Sequence, residues 1–367
     1  MRSLRVLLMS PLPPPYGGIS HWTTRLLEVL ADRPDLEVRV LDTSPGPRAA
    51  TTGLVYRIAT GVRRMVSDTG SLGWALRARR PDVVHINTSG SLAFARDLAV
   101  LRLLALAGIP SVLHLHFGRV PALSTQRGWE GRLMRLAVRS ATTVVSLDAP
   151  THAVVSRLRP GREDHCLPNF VEIPDAGPPA GSRDQSCLFV GWVLTSKGIE
   201  DLAAAWSSID TDGWVLDVIG PLGTEPGVAA LVAEPPAGIT FVGEVSHAQV
   251  MDRMRRCGLF VLPSHTEGFP NVVAEAMSVG TPILASAVGA IPDMLAEGAG
   301  LTVPAHDVAT LAEALQRLMC DPVLRRSMAE HAARRAREKY STAVVTESYV
   351  GMWRELAAHR TGIRSNT

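Results

Sequence analysis

The chain has 367 residues, 46% of them apolar and 20% charged, with a net charge of +2. That length holds two ordinary domains with full cores, and the balance excludes a nucleic-acid binder built on high positive charge. The small net charge hides an asymmetry: residues 1–170 carry 22 Arg against 12 acidic residues (+10), and residues 171–367 carry 15 Lys plus Arg against 23 acidic residues (−8). Either the basic half meets an anionic partner or surface, or these are solvated faces of an arginine-rich protein.

The start, MRSLRVLLMSPLPPP, has a basic residue and a short apolar run. The run is too short for a signal peptide, lacks a small-residue cleavage site and runs into prolines, so it reads as a first buried strand. RVLLMS, VRVLD, DVVHIN, SVLHLH and TTVVSL follow as buried parallel strands; SCLFVG, WVLDVIG, ITFVGEV, GLFVLPS and TPILAS repeat the theme in the second half. Helical patterns such as SHWTTRLLEVLADR, GIEDLAAAWSSI and AQVMDRMRRC lie between them. This alternation predicts an α/β chain with two doubly wound, Rossmann-like domains facing across a cleft, the default place for a ligand.

The expected division is a first domain over 1–171, a Pro/Gly/Ser-rich linker over 172–186, a second domain over 187–340 and a C-terminal helix over 341–367 that returns to the first domain. Cys166, Cys187, Cys257 and Cys320 have no C-x-x-C spacing and read as buried, reduced thiols. No stretch approaches the ~20 apolar residues of a membrane span, so a cytoplasmic protein is expected.

Glu267 and Glu275 bracket EGFPNVVAEAM. Pro270 suits a helix start, which puts Glu267 in the preceding loop and Glu275 roughly 8 Å along the helix from that proline. Between them the free first-turn N–H groups face an anion. Two acceptors for hydroxyls beside an N–H cradle for phosphate suit a nucleotide-sugar site.

Lysine is rare: Lys197 and Lys339 stand against 35 arginines. Lys197, after a strand and at a helix start in FVGWVLTSKGIEDL, suits a diphosphate; the bland alternative is a surface lysine capping a loop. Lys339 reads as a solvated helix residue. Gly17 and Gly18 precede the helix ISHWTTRLLEVL, where they serve either a close backbone approach to a ligand or a tight turn. Neither a dinucleotide fingerprint nor a P-loop is present. His114 and His116 share one face at the end of SVLHLHFG, where ligands sit beyond parallel strands, although buried histidines are usually structural. A metal there lacks a third ligand at clear spacing.

Taken in order, the Gly-Gly loop, the histidine strand end, LPNFVE, FVGWVLTSKGIEDL, FVGEVS, LPSHTEGFPNVVAEAMSVGTPILAS and VGAIPDML resemble the family 4 glycosyltransferases of the GT-B fold. The resemblance spans nearly the whole chain and is most specific in the second half. It implies a retaining sugar transfer from a nucleotide diphosphate donor, with no cofactor and no metal. Position by position, it implies that Glu275 holds the ribose hydroxyls and Glu267 contacts the donor sugar. Gly268, Phe269, Pro270, Asn271 and Val272 line the sugar and phosphate, with backbone N–H groups offered from this loop. Lys197 neutralises the leaving diphosphate, Gly243, Glu244 and Val245 line the base, and Gly18 closes over the phosphates beside Gly17. His116 sits near the anomeric centre, with His114 as its alternative.

One position departs from the family: Trp192 stands where a basic residue usually pairs with the lysine, and an indole stacks but does not neutralise phosphate. The segment FGRVPALSTQRGWEGRLMRLAVRS carries Arg119, Arg127, Arg132, Arg135 and Arg139 with Trp129 among them. It reads either as a basic amphipathic helix on an anionic membrane, which would bring the enzyme to a lipid-linked acceptor at the inner membrane face, or as a helix packed on the sheet. The expected function is transfer to a glycan or lipid-linked acceptor in cell-surface polysaccharide or glycolipid synthesis. The rivals are a nucleotide-sugar epimerase or phosphorylase on the same fold, and a non-catalytic binding partner.

Overall fold

The computed structural model describes residues 3–14, 17–44, 68–174 and 183–362. Part of the PLPPPY turn (Pro15 and Tyr16) and residues 175–182 of the expected linker lie outside the described residues. The chain divides into two units, Met1–Pro168 with Val345–Thr367, and Asn169–Val344.

Among the described residues, unit 1 is built on six parallel strands: β1 (Leu4–Ser10), β2 (Leu36–Asp42), β3 (Val83–Thr88), β4 (Ser111–Leu115), β5 (Thr143–Ser146) and β6 (His165–Cys166). Their order is β2-β1-β3-β4-β5-β6. Helices α1 (Gly18–Leu30), α2 (68–78), α3 (Ala93–Leu106), α4 (Val120–Thr125), α5 (Trp129–Ser140) and α6 (Ala149–Leu158) flank them. β3 and β4 are buried along their full length, as interior strands covered on both faces must be.

Unit 2 repeats the plan with β7 (Asp184–Val190), β8 (Val215–Ile219), β9 (Ile239–Gly243), β10 (Cys257–Leu262), β11 (Ile283–Ser286) and β12 (Leu301–Val303), in the order β12-β11-β10-β7-β8-β9. Its helices are α7 (Ile199–Ser207), α8 (Pro226–Ala233), α9 (His247–Arg256), α10 (Asn271–Ser278), α11 (Ile291–Met294), α12 (Val308–Cys320) and α13 (Pro322–Arg335). Helix α14 (Thr342–Gly362) ends the chain and belongs mostly to unit 1.

The two sheets are not duplicates. Unit 2 has the Rossmann strand order, with its switch point between β7 and β10; unit 1, among the described residues, has the flavodoxin-like order, with its switch point between β1 and β3. Ligands of such sheets bind beyond the strand ends at the switch point, which directs attention to the loops after β1, β7 and β10.

Three expectations need correction. The stretch 172–186 is not all linker, since β7 starts at Asp184. Only Cys187 and Cys257 are buried; Cys166 and Cys320 are exposed. The arginine-rich segment is two helices, and Arg135 turns inward to donate to the carbonyls of Ser124 and Gln126 (both 3.1 Å), satisfying the end of α4. Among the described residues no helix is long and apolar enough to cross a membrane.

Candidate active site

The site in unit 2 is assembled by two glycines. Gly198 has φ +69, and a Cβ there would lie 2.0 Å from the Pro263 carbonyl oxygen. Only glycine lets the Lys197 turn press against the chain leaving β10. Gly289 has φ +56, and its Cβ would meet the carbonyl oxygens of Glu267 and Gly268 at 2.4 and 2.6 Å. The Ala290 N–H donates to the Gly268 carbonyl at 2.8 Å. The loop bearing Glu267 is thereby gripped from both sides.

In that grip the Lys197 ammonium donates to Glu267 Oε1 at 2.6 Å, with side chains 26% and 10% exposed. A part-exposed pair of this kind is poised to exchange partners, because water reaches the lysine while the carboxylate is nearly enclosed. Glu275 lies on α10 and meets His247 Nε2 at 3.2 Å. The two carboxylates have separate partners and so act as separate groups.

Pro270 is the cap of α10 and not its first residue, with φ −75 and ψ 109. Its carbonyl accepts the N–H groups of Val273 (3.0 Å) and Ala274 (3.4 Å), which leaves those of Asn271 and Val272 as the donors a helix cannot satisfy internally. The Asn271 side chain is held by Asn169 Nδ2 at 2.9 Å, and Phe269 packs edge-on against Tyr340. Gly243 closes β9 at φ +78 and accepts from the Gly220 N–H; Glu244 beside it is exposed and Val245 half-buried. Trp192 is 58% exposed.

Unit 1 places its candidates differently. Gly17 has φ −165, an extended conformation open to any residue, and a Cβ on Gly17 or Gly18 would meet nothing within 4 Å. Backbone strain therefore does not explain the pair. His114 and His116 do share a face, with ring centroids 3.7 Å apart. His114 is fully buried with both ring nitrogens engaged, by His85 and by Tyr349.

Trp353 of α14 fixes the protonation pattern of this cluster. An indole N–H only donates, so His85 Nδ1, 3.0 Å away, accepts. His85 then donates through Nε2 to His114 Nδ1 (3.2 Å), and His114 donates through Nε2 to the Tyr349 hydroxyl (3.4 Å), which donates to the Pro168 carbonyl (3.4 Å). A parallel chain fixes His116. Thr23 donates to the Ile19 carbonyl (2.8 Å), Ser10 to Thr23 (2.5 Å), and Asn87 Nδ2 to Ser10 (2.8 Å). Asn87 Oδ1 then accepts from His116 Nε2 (3.1 Å), leaving His116 Nδ1 as a bare acceptor. Desolvation holds His85 and His116 down to about 3, aided at His116 by the nearby His85, and pushes His114 well below the ordinary histidine value. All three rings are neutral at ordinary pH.

Sequence reasoning missed His85, Asn87, Tyr349 and Trp353. The signal for the first two was the alternation in DVVHIN, since Asn87 stands opposite His114 in the β3–β4 register. The aromatic pair arrives from more than 230 residues away, and no local pattern announces that.

The family model described as glycosyl transferases group 1 matches residues 177–335, and the model described as glycosyltransferase family 4 matches residues 16–173. Alpha-maltose-1-phosphate synthase of Mycolicibacterium smegmatis is 27% identical over 401 residues, covering 97% of this chain and 100% of that protein. The putative teichuronic acid biosynthesis glycosyltransferase TuaC of Bacillus subtilis is 25% identical over 281 residues, 68% of each chain. Among solved structures, HepE of Anabaena in complex with UDP and glucose superposes with a TM-score of 0.68 at 15% identity, covering 95% of this chain and 99% of that one. The chain belongs to the family 4 glycosyltransferases of the GT-B fold, and it is an enzyme of glycosyl transfer.

Proposed function

We propose that the enzyme moves a sugar, with retention of anomeric configuration, from a nucleoside diphosphate donor to a glycan or lipid-linked sugar during cytoplasmic assembly of a cell-surface polysaccharide or glycolipid. The observation that carries this reading is the Lys197–Glu267 pair beside the free N–H groups of Asn271 and Val272. A cation and a helix N-terminus converge where a diphosphate would sit, next to a carboxylate able to take sugar hydroxyls. A relative of teichuronic acid synthesis and a structural neighbour holding UDP and glucose support the same reading.

On arrival of the donor, the Lys197 ammonium swings from Glu267 to the diphosphate, and Glu267 turns to the donor sugar. Glu275 holds the ribose, while Gly243, Glu244 and Val245 border the base. Gly268, Phe269 and Pro270 shape the loop that brings up the N–H donors. The anomeric carbon–oxygen bond to the phosphate breaks as the acceptor oxygen bonds to the same carbon from the same face. The acceptor proton passes to the departing phosphate oxygen. Charge stabilisation by Lys197 and the helix dipole does the work a metal would otherwise do. Within unit 1, the open backbone at Gly17 and Gly18 and the bare Nδ1 of His116 are the groups available to a ligand beyond the strand ends.

Thermal-shift titration with UDP-, GDP- and ADP-sugars, paired with nucleoside diphosphate release on acceptor addition, tests the proposal. One donor should stabilise the parent and lose its effect in Lys197→Ala. Stabilisation by none of them, or acceptor-free epimerisation of the donor, would sink it. A membrane role for α5 rests on Trp129, Arg132, Leu136 and Arg139, which fall on one exposed face, with Trp129 57% and Leu136 44% exposed. Retention of binding to anionic vesicles by Trp129→Ala with Arg132→Glu would remove that role.

A further inference from the structure

Beside the Lys197 turn lies a second cluster that the transfer reaction does not use. Asp201 is in the first turn of α7, His265 follows β10, and His306 sits in the turn between β12 and α12. His265 Nε2 donates to Asp201 Oδ2 at 2.8 Å, and the His306 ring stacks on that of His265 with centroids 3.7 Å apart. One ligand atom from each of the three lies within 4.8 Å of the others. His306 holds φ +63, a left-handed conformation that glycine would adopt with less strain. An Asp201–His265 hydrogen bond alone has no need of that. The strained position brings a second imidazole to the carboxylate.

We propose that Asp201, His265 and His306 bind a first-row divalent cation, best matched by zinc, with the remaining position left to water. Two imidazoles and one carboxylate form a ligand set suited to zinc. Tetrahedral bonds of ~2.0–2.1 Å set neighbouring ligand atoms about 3.3 Å apart, so the Asp201–His265 gap opens by about half an ångström. The Nε2 proton of His265 moves to Nδ1, and the exposed His306 ring turns to close the site. His265 also donates its backbone N–H to the Ser196 carbonyl at 3.0 Å. The cation would therefore staple three segments: the turn carrying Lys197, the loop carrying Glu267 and the turn before α12. Its role is to stiffen the loops of the donor site, and binding can be read without any sugar donor.

The test uses tag-free, chelator-treated full-length protein titrated with zinc chloride by calorimetry and with Co²⁺ by visible absorption. One equivalent of zinc should bind, Co²⁺ should give tetrahedral d–d bands, and the thermal midpoint should rise by about 3–6 °C at free zinc tenfold above Kd. His306→Gly relieves the backbone strain, so the metal-free variant should be at least as stable as the parent yet bind zinc at least tenfold more weakly. Asp201→Asn keeps the hydrogen bond to His265 and should also weaken zinc. Sub-stoichiometric binding, absence of the d–d bands, or parental affinity in His306→Gly would overturn the proposal.

Discussion

The polar centres of the two units are opposites. Unit 1 gathers three neutral histidines, two aromatic side chains and an asparagine, most of them sealed from water and joined donor to acceptor. Unit 2 gathers a charged lysine and two glutamates with a histidine beside them, partly open to water. Burial without charge makes a rigid scaffold whose pattern survives only if every partner is present. Charge near water makes a site that can trade an internal partner for a ligand. Substitutions should therefore register as lost stability among the sealed side chains of unit 1 and as lost activity in unit 2, with half-buried His116 set apart from the sealed group.

The largest effect expected is that of Trp353→Ala. It empties a fully buried site and removes the donor that fixes His85, and should cost about 3–5 kcal/mol in urea unfolding of unit 1. Lys197→Ala should leave unfolding unchanged while lowering kcat by about 10²–10³-fold, measured by nucleoside diphosphate release. If it destabilised the protein instead, the distinction between scaffold and site would fail.

Acid sharpens the contrast. His85 and His116 stay neutral down to about 3 in the folded state but take up protons near 6.5 when unfolded. Their contribution is complete above pH 6.5 and is lost as pH falls from there towards 3, each histidine costing about 1.4 kcal/mol per pH unit. His85→Asn, uncharged throughout, should reduce the slope of stability against pH by one proton. A parental slope in that variant would place the titration elsewhere. The smallest effect is that of Glu275→Ala: a donor KM raised about tenfold, with kcat changed much less. His116→Ala should do the reverse, lowering kcat chiefly; if His114→Ala alone does so, the two histidines exchange roles.

Much of the fold was legible because ten strands carry apolar runs long enough to read. The two it omitted, His165–Cys166 and Leu301–Val303, are two and three residues long, too short for any period. Glu267, Glu275 and Lys197 stood out because a rare residue and a helix start coincide with strand ends. The Lys197–Glu267 pairing could not be read, since it depends on Gly198 and Gly289 admitting a close approach of segments 70 residues apart. Nor could the burial of His114, since its lid comes from the end of the chain.

That origin bears on the order in which the molecule is made. Unit 2 is a single stretch, Asn169–Val344, and can close as soon as it is synthesised. Unit 1 starts first but needs Tyr349 and Trp353, so its sheet must wait on the ribosome through the making of nearly 180 further residues, with Trp22, His85 and His114 uncovered. Unit 2 is therefore expected to fold before unit 1, the reverse of the usual N-terminal-first order. A nascent chain halted before residue 345 should expose a patch of unit 1 that chaperones recognise, while its second unit is already folded.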